Sequence, residues 1–219
     1  MAGLMSVSSP LDIGAGLGGL LGPAELSADF LTYYWQRRVY GPNYQHDLSK
    51  LLKDVPILAS ADLLLAALGE TDPIWRIRSN SPKRCQVNNR AAIKDARGGS
   101  CSYYFSIQSA CPLLQFWAIS VRDELPLDAM APLMVSVFIS PDSFHTPPHS
   151  DPNENFTLQI AGSKIWTVWS DSGAIVVNMT PGSVIYVPAG LVHQVNTITA
   201  SITLNVSITT TRPSRGKMP

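Results

Sequence analysis

The sequence predicts a mainly β fold with amino-terminal helices, in which a sheet rolls into a jelly-roll barrel. After Pro132, short runs of branched and aromatic residues alternate with turn residues. The segments AGS, SDSG, TPG and PAG supply glycine and proline at short, regular intervals. Between residues 27 and 69, apolar residues instead recur at three- and four-residue spacing, which is typical of helices. Many short strands with tight turns indicate a jelly-roll barrel or sandwich.

Composition favours one compact domain with a sizeable core. The 219 residues include 16 basic and 16 acidic side chains, so no nucleic-acid or membrane partner is expected. Cys85, Cys101 and Cys111 lack metal-site or disulfide spacing, which favours reduced thiols in a cytoplasmic protein. No signal peptide and no bilayer-spanning run is recognised. Composition leaves the oligomeric state open.

The helical elements define the first part of the chain. Ser27 and Ser60 are predicted to cap two helices, and Asp47 to Lys53 forms another. Pro112 opens a fourth, PLLQFWAISVRDEL, with a predicted apolar side. That side comprises Leu113, Phe116, Trp117 and Val121 or Ser120. The predicted divisions are a flexible segment 1–23 in which Leu17 to Leu21 could dock, a helical region with flanking strands 24–131 packed on the barrel, the core barrel 132–210, and a tail 211–219.

The strands are predicted from branched and aromatic runs. Two precede the Pro112 helix, WRIRS (75–79) and SYYFSIQ (102–108), separated by a KDARGGS turn (94–100). Those of the barrel are MVSVFIS (134–140), FTLQI (156–160), KIWTVW (164–169), AIVVN (174–178), SVIYV (183–187), HQVN (193–196) and SITLNVSIT (201–209).

Two histidines and one aspartate are candidate metal ligands. His149 and Asp151 follow a strand and a TPP turn, and His193 follows a PAG turn at the start of another strand. Two imidazoles and a carboxylate occupy one face of an octahedron and leave positions for a bidentate ligand and dioxygen, as in non-heme iron(II) oxygenases. Taken singly, each residue has a structural alternative: a turn cap for His149, an Asx-type bond in the PNEN loop for Asp151, and a buried, satisfied ring for His193.

Lys164 is the second candidate feature. If FTLQI and KIWTV form a hairpin around AGS, Lys164 lies one hairpin after the HxD turn and can point into the barrel. A buried lysine needs an anionic partner, and a dicarboxylate cosubstrate would supply one. The alternative is an exposed lysine at a strand edge. His46 and His145 have no assigned role.

The segments TPPHSDPNENFTLQIAGSKIWTVW and PGSVIYVPAGLVHQV resemble the JmjC branch of the cupin superfamily, in particular small protein and peptide hydroxylases related to the asparaginyl hydroxylase of hypoxia-inducible factor. The resemblance covers residues 132 to 209 well and FLTYYWQRR loosely. It implies a double-stranded β-helix and an oxygenase that uses iron(II), 2-oxoglutarate and dioxygen.

The resemblance also implies residue roles. His149, Asp151 and His193 would hold the iron, while Lys164 and Thr146 would bind the distal carboxylate of 2-oxoglutarate. Asn155 and Asn205 would make polar contacts near the metal or the cosubstrate. We expect hydroxylation of an amino-acid side chain in a protein or peptide. Alternatives are an oxygenase of a small biosynthetic metabolite and a non-enzymatic or zinc-binding cupin, with histone demethylation a minor variant of the first.

Overall fold

The computed structural model describes residues 14, 16–69, 72–89, 91–92 and 100–210. The tail 211–219, most of the KDARGGS turn and residues 1–13 of the predicted flexible segment lie outside this range. Within the same segment, residues 16–21 form a short helix whose three leucines are buried. No helix in the described part of the chain has the length and apolar character needed to cross a bilayer.

Five α-helices are described, together with two short turns of other helical type. The α-helices are α1 (Gly16–Leu21), α2 (Ala24–Asp29), α3 (Leu48–Asp54), α4 (Ala61–Ala67) and α5 (Pro112–Asp123). A π-helical turn, Phe30–Tyr34, extends α2, and a 3-10 turn, Pro56–Ala59, precedes α4. As predicted, the Ser60 side chain caps α4 by accepting a hydrogen bond from the Leu63 amide.

All described strands belong to one antiparallel sheet. They are β1 (Ile74–Arg78), β2 (Arg84–Val87), β3 (Cys101–Ser106), β4 (Leu133–Ser140), β5 (Asn153–Ser170), β6 (Gly173–Met179), β7 (Val184–Val187) and β8 (Val192–Thr209). Their order is β2-β1-β3-β4-β8-β5-β6, with β7 paired to β5. The predicted jelly-roll class is confirmed, whereas β2 was not predicted.

Strand alternation places the hydrophobic core on one face of the sheet. Val135 and Val137 of β4 and Leu204 of β8 are buried in the same apolar cluster as the leucines of α1 and α5. Their neighbours in sequence point to the other face, since side chains alternate along a strand. That second face carries Phe138, Ser140, Thr203 and Asn205, which line an internal cavity. The helices therefore cover the outside of the sheet and leave its inside for a site.

The predicted hairpin around AGS is wrong. FTLQI and KIWTVW belong to one strand, β5, which pairs with the equally long β8 through register shifts between residues 159 and 164. Gly162 adopts a φ of +70° there, and a Cβ at this position would clash with the Ala200 carbonyl. A glycine at a bulge bends a strand without ending it. HQVN and SITLNVSIT are likewise parts of β8 rather than two strands.

Two details of the helix prediction are also wrong. Ser27 lies inside α2 and does not cap it, because the helix already begins at Ala24. In α5, Trp117 and Val121 are buried as predicted, but Leu113 and Phe116 are 37% and 60% exposed. The buried stripe is Leu114, Trp117, Ala118 and Val121. This set follows the three- and four-residue spacing of one helix face, and Phe116 lies about 150° around the helix axis from the centre of that face.

Candidate metal and cosubstrate site

His149, Asp151 and His193 converge as the sequence predicts. One potential ligand atom from each lies within 4.8 Å of the other two. The two histidines face each other across a short antiparallel bridge, in which each backbone amide donates to the other's carbonyl. This bridge joins the HxD loop to the first residues of β8, so pairing of the backbone itself brings the ligands together.

Hydrogen bonds orient both imidazole rings. Nδ1 of His149 lies 2.9 Å from the Pro147 carbonyl oxygen, and Nδ1 of His193 lies 3.1 Å from the Leu191 carbonyl oxygen. A carbonyl only accepts, so each Nδ1 carries a proton, and in the neutral form of each ring the lone pair is on Nε2. Outer hydrogen bonds of this kind fix the tautomer of metal-binding histidines. The arrangement is suited to a cation between the two Nε2 atoms and Asp151.

Electrostatics favour neutral imidazole at His193. Burial lowers the pKa of His193, and the neighbouring His149 lowers it further, while Asp151 acts in the opposite direction. Asp151 Oδ2 lies 3.6 Å from Nε2 of His193. A neutral imidazole is the form that binds a metal.

Asn155 and Asn205 connect Asp151 to the barrel wall. Asn155 Nδ2 donates to Asp151 Oδ2 over 3.2 Å, and its Oδ1 accepts from Ser207 Oγ and Asn205 Nδ2. Asn205 in turn accepts from Thr157 Oγ1. Asn155 therefore contacts the Asp151 carboxylate directly, and Asn205 contacts Asn155.

A cavity of about 120 Å³ extends from the triad into the barrel. Lys164 lines it and is 5% exposed, so the alternative of an exposed edge lysine is excluded. Its Nζ donates to Ser140 Oγ and Thr203 Oγ1 at 3.4 and 3.3 Å, and it forms no ion pair with a carboxylate of the described residues. Burial lowers the pKa of Lys164 to about 7. A buried ammonium held only by hydroxyls suits an anionic ligand.

Thr146 also lines this cavity. Its hydroxyl oxygen accepts the Val195 amide at 3.0 Å, which leaves its O–H proton available for a ligand. The structure thus brings all seven predicted site residues to one cavity.

Two further donors were missed by sequence reasoning. Thr197 Oγ1 and Trp166 Nε1 are buried, line the cavity and have no hydrogen-bond partner among the described residues. Thr197 is the β8 partner of Lys164 in the ladder, and the Trp166 ring stacks on His193 with centroids 5.4 Å apart. Strand alternation from His193 and Lys164 could have identified both.

The two remaining histidines lie elsewhere. His46 Nε2 contacts the Leu20 carbonyl at 2.7 Å, and His145 Nδ1 contacts Ser79 Oγ at 3.1 Å. These contacts tie loops to α1 and β1, so both histidines have structural partners. The three cysteines are free thiols, as predicted.

A wider groove of about 530 Å³ opens beside Asp151. It shares His149, Asp151 and Asn155 with the inner cavity, and its outer part is lined by Arg84 and Tyr104. The groove was not predicted from the sequence because β2 was not predicted. A signal was present: residues 73–89 contain Arg76, Arg78, Lys83 and Arg84 without any acidic residue.

The side chains around the cavity suit both a metal ion and an anionic cosubstrate. Two imidazoles and one carboxylate fit iron(II), with manganese, cobalt, nickel and zinc as competitors. The orphaned Thr197 and Trp166 donors and the unpaired Lys164 ammonium fit an elongated anion reaching from the triad into the barrel. The residues present are therefore compatible with both groups.

Comparison with solved structures shows the fold. The chain is similar to YcfD, described as a ribosomal oxygenase from Escherichia coli, in complex with cobalt and 2-oxoglutarate: TM-score 0.64, 19% identity, 85% of this chain and 52% of that chain covered. The YcfD complex with cobalt and succinic acid has a TM-score of 0.64 and 18% identity, with 85% of this chain and 52% of that chain covered. A further YcfD structure has a TM-score of 0.63 and 18% identity, with 85% of this chain and 51% of that chain covered. The chain spans about half the length of these neighbours. No protein-family model and no curated protein matches it.

Proposed function

We propose that this chain is an iron(II)- and 2-oxoglutarate-dependent oxygenase that hydroxylates a C–H bond on an amino-acid side chain of a protein or peptide. The observation that carries the proposal is Lys164, a buried ammonium without a carboxylate partner among the described residues, in the cavity that the His149–Asp151–His193 triad lines. A barrel that only bound a metal would have no use for such a cation. This observation disfavours the zinc-cupin alternative.

The chain's residues would divide the work as follows. His149, Asp151 and His193 would hold iron on one face, and Asn155 would keep the Asp151 carboxylate oriented through its hydrogen bond. Lys164 and Thr146 would bind the distal carboxylate of the cosubstrate. When bound, iron and 2-oxoglutarate would allow dioxygen to act as the oxidant: one oxygen atom would enter succinate as the cosubstrate loses carbon dioxide, and the other would be inserted into the C–H bond.

Apolar side chains would keep water from the reaction. Phe144, Val187 and Val195 line the cavity and are at most 8% exposed. Their role is to limit wasteful oxidation while a substrate is positioned at the metal. The wide groove beside Asp151 has room for a side chain presented by a larger molecule, which favours a peptide or protein over a small metabolite. The similarity in fold to YcfD, a ribosomal oxygenase, supports the same choice.

The test compares Asp151→Ala with Asp171→Ala, which removes an exposed carboxylate from the turn between β5 and β6. With iron(II) and ascorbate, the wild type and Asp171→Ala should convert 2-oxoglutarate to succinate slowly even without a primary substrate. Asp151→Ala should show no turnover and should lose the visible absorption of bound cobalt(II). Absence of turnover in the wild type with every candidate substrate, together with tight zinc retention, would contradict the proposal.

A further inference from the structure

The outer groove carries one organised cation. Among the described residues that line it, Arg84 and Asp151 are the charged ones, and Asp151 belongs to the metal site. Arg84 forms no ion pair with any described carboxylate. A guanidinium at the rim of a groove that opens on the metal is a ready partner for an anionic group of the substrate.

Arg84 is held in place by aromatic side chains. Its guanidinium carbon lies 5.7 Å from the ring centroid of Trp75 and 5.9 Å from that of Tyr104. It also donates a hydrogen bond of 2.7 Å to the Tyr104 hydroxyl. Phe138 stacks on Tyr104 on the side away from Trp75, with ring centroids 5.2 Å apart, and lines both the groove and the inner cavity. Cation–π contacts of this kind restrict an otherwise flexible side chain and reduce the entropy lost on binding.

The hairpin that carries Arg84 is also basic in sequence. It holds Arg76, Arg78 and Lys83 besides Arg84, with Arg76 and Arg78 on the opposite face of the sheet from Arg84, and residues 73–89 contain no acidic side chain. The whole chain has a net charge of zero, so this concentration of positive charge is local. Such a field would attract an acidic substrate and repel a basic one.

We propose that the primary substrate carries a carboxylate that pairs with Arg84 when the oxidised group enters the groove, and that an acidic peptide segment is its source. This inference rests on the proposed function. A nucleic acid is disfavoured because the Tyr104 ring is already stacked between Trp75 and Phe138 and is not free for base stacking. A small carboxylic acid has the same chemistry and is a separate arm of the test.

The experiment measures binding to the full chain loaded with cobalt(II) and 2-oxoglutarate. The probes are two synthetic peptide pools, identical except that one has Asp and Glu where the other has Asn and Gln. Glutarate, benzoate and a uridine oligonucleotide are tested beside them. The variants are Arg84→Gln and, as a matched control, Arg78→Gln, which removes the same charge from the same hairpin at a position outside the groove lining.

We expect the acidic pool to bind the wild type and Arg78→Gln about tenfold more tightly than the amide pool, as a charge-assisted pair would give. Arg84→Gln should abolish that preference. Arg84-dependent binding of glutarate or benzoate without peptide binding would support the pairing of a substrate carboxylate with Arg84. It would identify a small carboxylic acid, and not a peptide, as the source of that carboxylate. Equal binding of the two pools, equal effects of the two variants, no binding by any carboxylate, or tighter Arg84-dependent binding of the oligonucleotide would overturn the proposal.

The two proposals fail separately. Binding of cobalt(II) and 2-oxoglutarate to the wild type is measured first, and its absence would count against the oxygenase. The peptide pools are also measured without metal and cosubstrate, because Arg84 and its aromatic partners are present in either state. If the protein prefers the acidic pool in an Arg84-dependent way but does not bind the cosubstrate, the proposed role of Arg84 is supported and the proposed oxygenase reaction is contradicted.

Discussion

Replacing Lys164 by methionine should have opposite effects on cosubstrate binding and on protein stability. Methionine preserves most of the volume and the apolar stem but removes the charge. Burial lowers the pKa of Lys164 from 10.5 to about 7. That difference corresponds to about 5 kcal/mol of unfavourable free energy for the charged form in the folded protein, because a tenfold change in proton affinity is about 1.4 kcal/mol.

The stability effect depends on pH in a defined direction. Below pH 7 both the folded and the unfolded chain hold the proton, so the ligand-free wild type bears the full cost. Between pH 7 and 10.5 the folded state releases the proton first, so the stability of the wild type rises with pH. Loss of the hydrogen bond to Thr203 should cost the variant about 1 to 2 kcal/mol at every pH. The variant should therefore be about 3 kcal/mol more stable near pH 6 and about equal to the wild type near pH 9.5.

Urea unfolding of the metal-free proteins at these two pH values measures the effect. Lys50→Met, which removes an exposed lysine from α3, is the control and should change the free energy of unfolding by less than about 0.5 kcal/mol.

In the same Lys164→Met variant, 2-oxoglutarate should bind about a hundredfold or more weakly, because its distal carboxylate would be buried without a cation. The affinity of the wild type should fall by up to about tenfold per pH unit above pH 7, and that slope should vanish in the variant. A variant that is destabilised equally at both pH values and still binds the cosubstrate would refute the reasoning.

Two further predictions concern the metal and the core. Asn155→Ala removes the hydrogen bond to Asp151 and should weaken cobalt(II) binding about 10- to 100-fold in a spectroscopic titration, while an unchanged affinity would show that the amide does not orient the ligand. Leu114→Ala should lower the free energy of unfolding in urea by about 2 to 5 kcal/mol, because Leu114 is buried, whereas Leu113→Ala at the exposed position should lower it by less than about 1 kcal/mol. The reverse order would support the helix face predicted from the sequence.

The sequence was informative where chemistry depends on short spacing. His149 and Asp151 lie on one loop, and their separation needs no knowledge of the fold. His193 was placed by its position at the start of a strand, and the backbone bridge to His149 explains why that position converges. The roles assigned to Lys164 and Thr146 by resemblance remain proposals, although both side chains line the expected cavity.

The sequence was less informative where the outcome depends on distant partners. AGS has the composition of a turn, and only the equal length of β8 makes it a bend within one strand. In α5, Leu113 and Phe116 are as apolar as Leu114 and Ala118, so the choice of face depended on α1 and the sheet, which local periodicity does not contain. The groove needed the pairing of β1 with both β2 and β3, which brings Arg84 to Tyr104 across 20 residues of sequence.

The polar inner face of the barrel is nevertheless visible in the sequences of the strands. In β4 and β8, hydroxyl and amide side chains alternate with branched apolar ones, a pattern usually associated with a solvent-exposed face. Here Ser136, Ser140, Thr203, Asn205 and Ser207 are all at most 8% exposed. Burial of a polar face costs free energy unless its groups are satisfied, and several of them are satisfied by one another. Around the cavity, the Thr197 and Trp166 donors have no hydrogen-bond partner among the described residues and Lys164 contacts only hydroxyls, so an anionic cosubstrate would complete the network there.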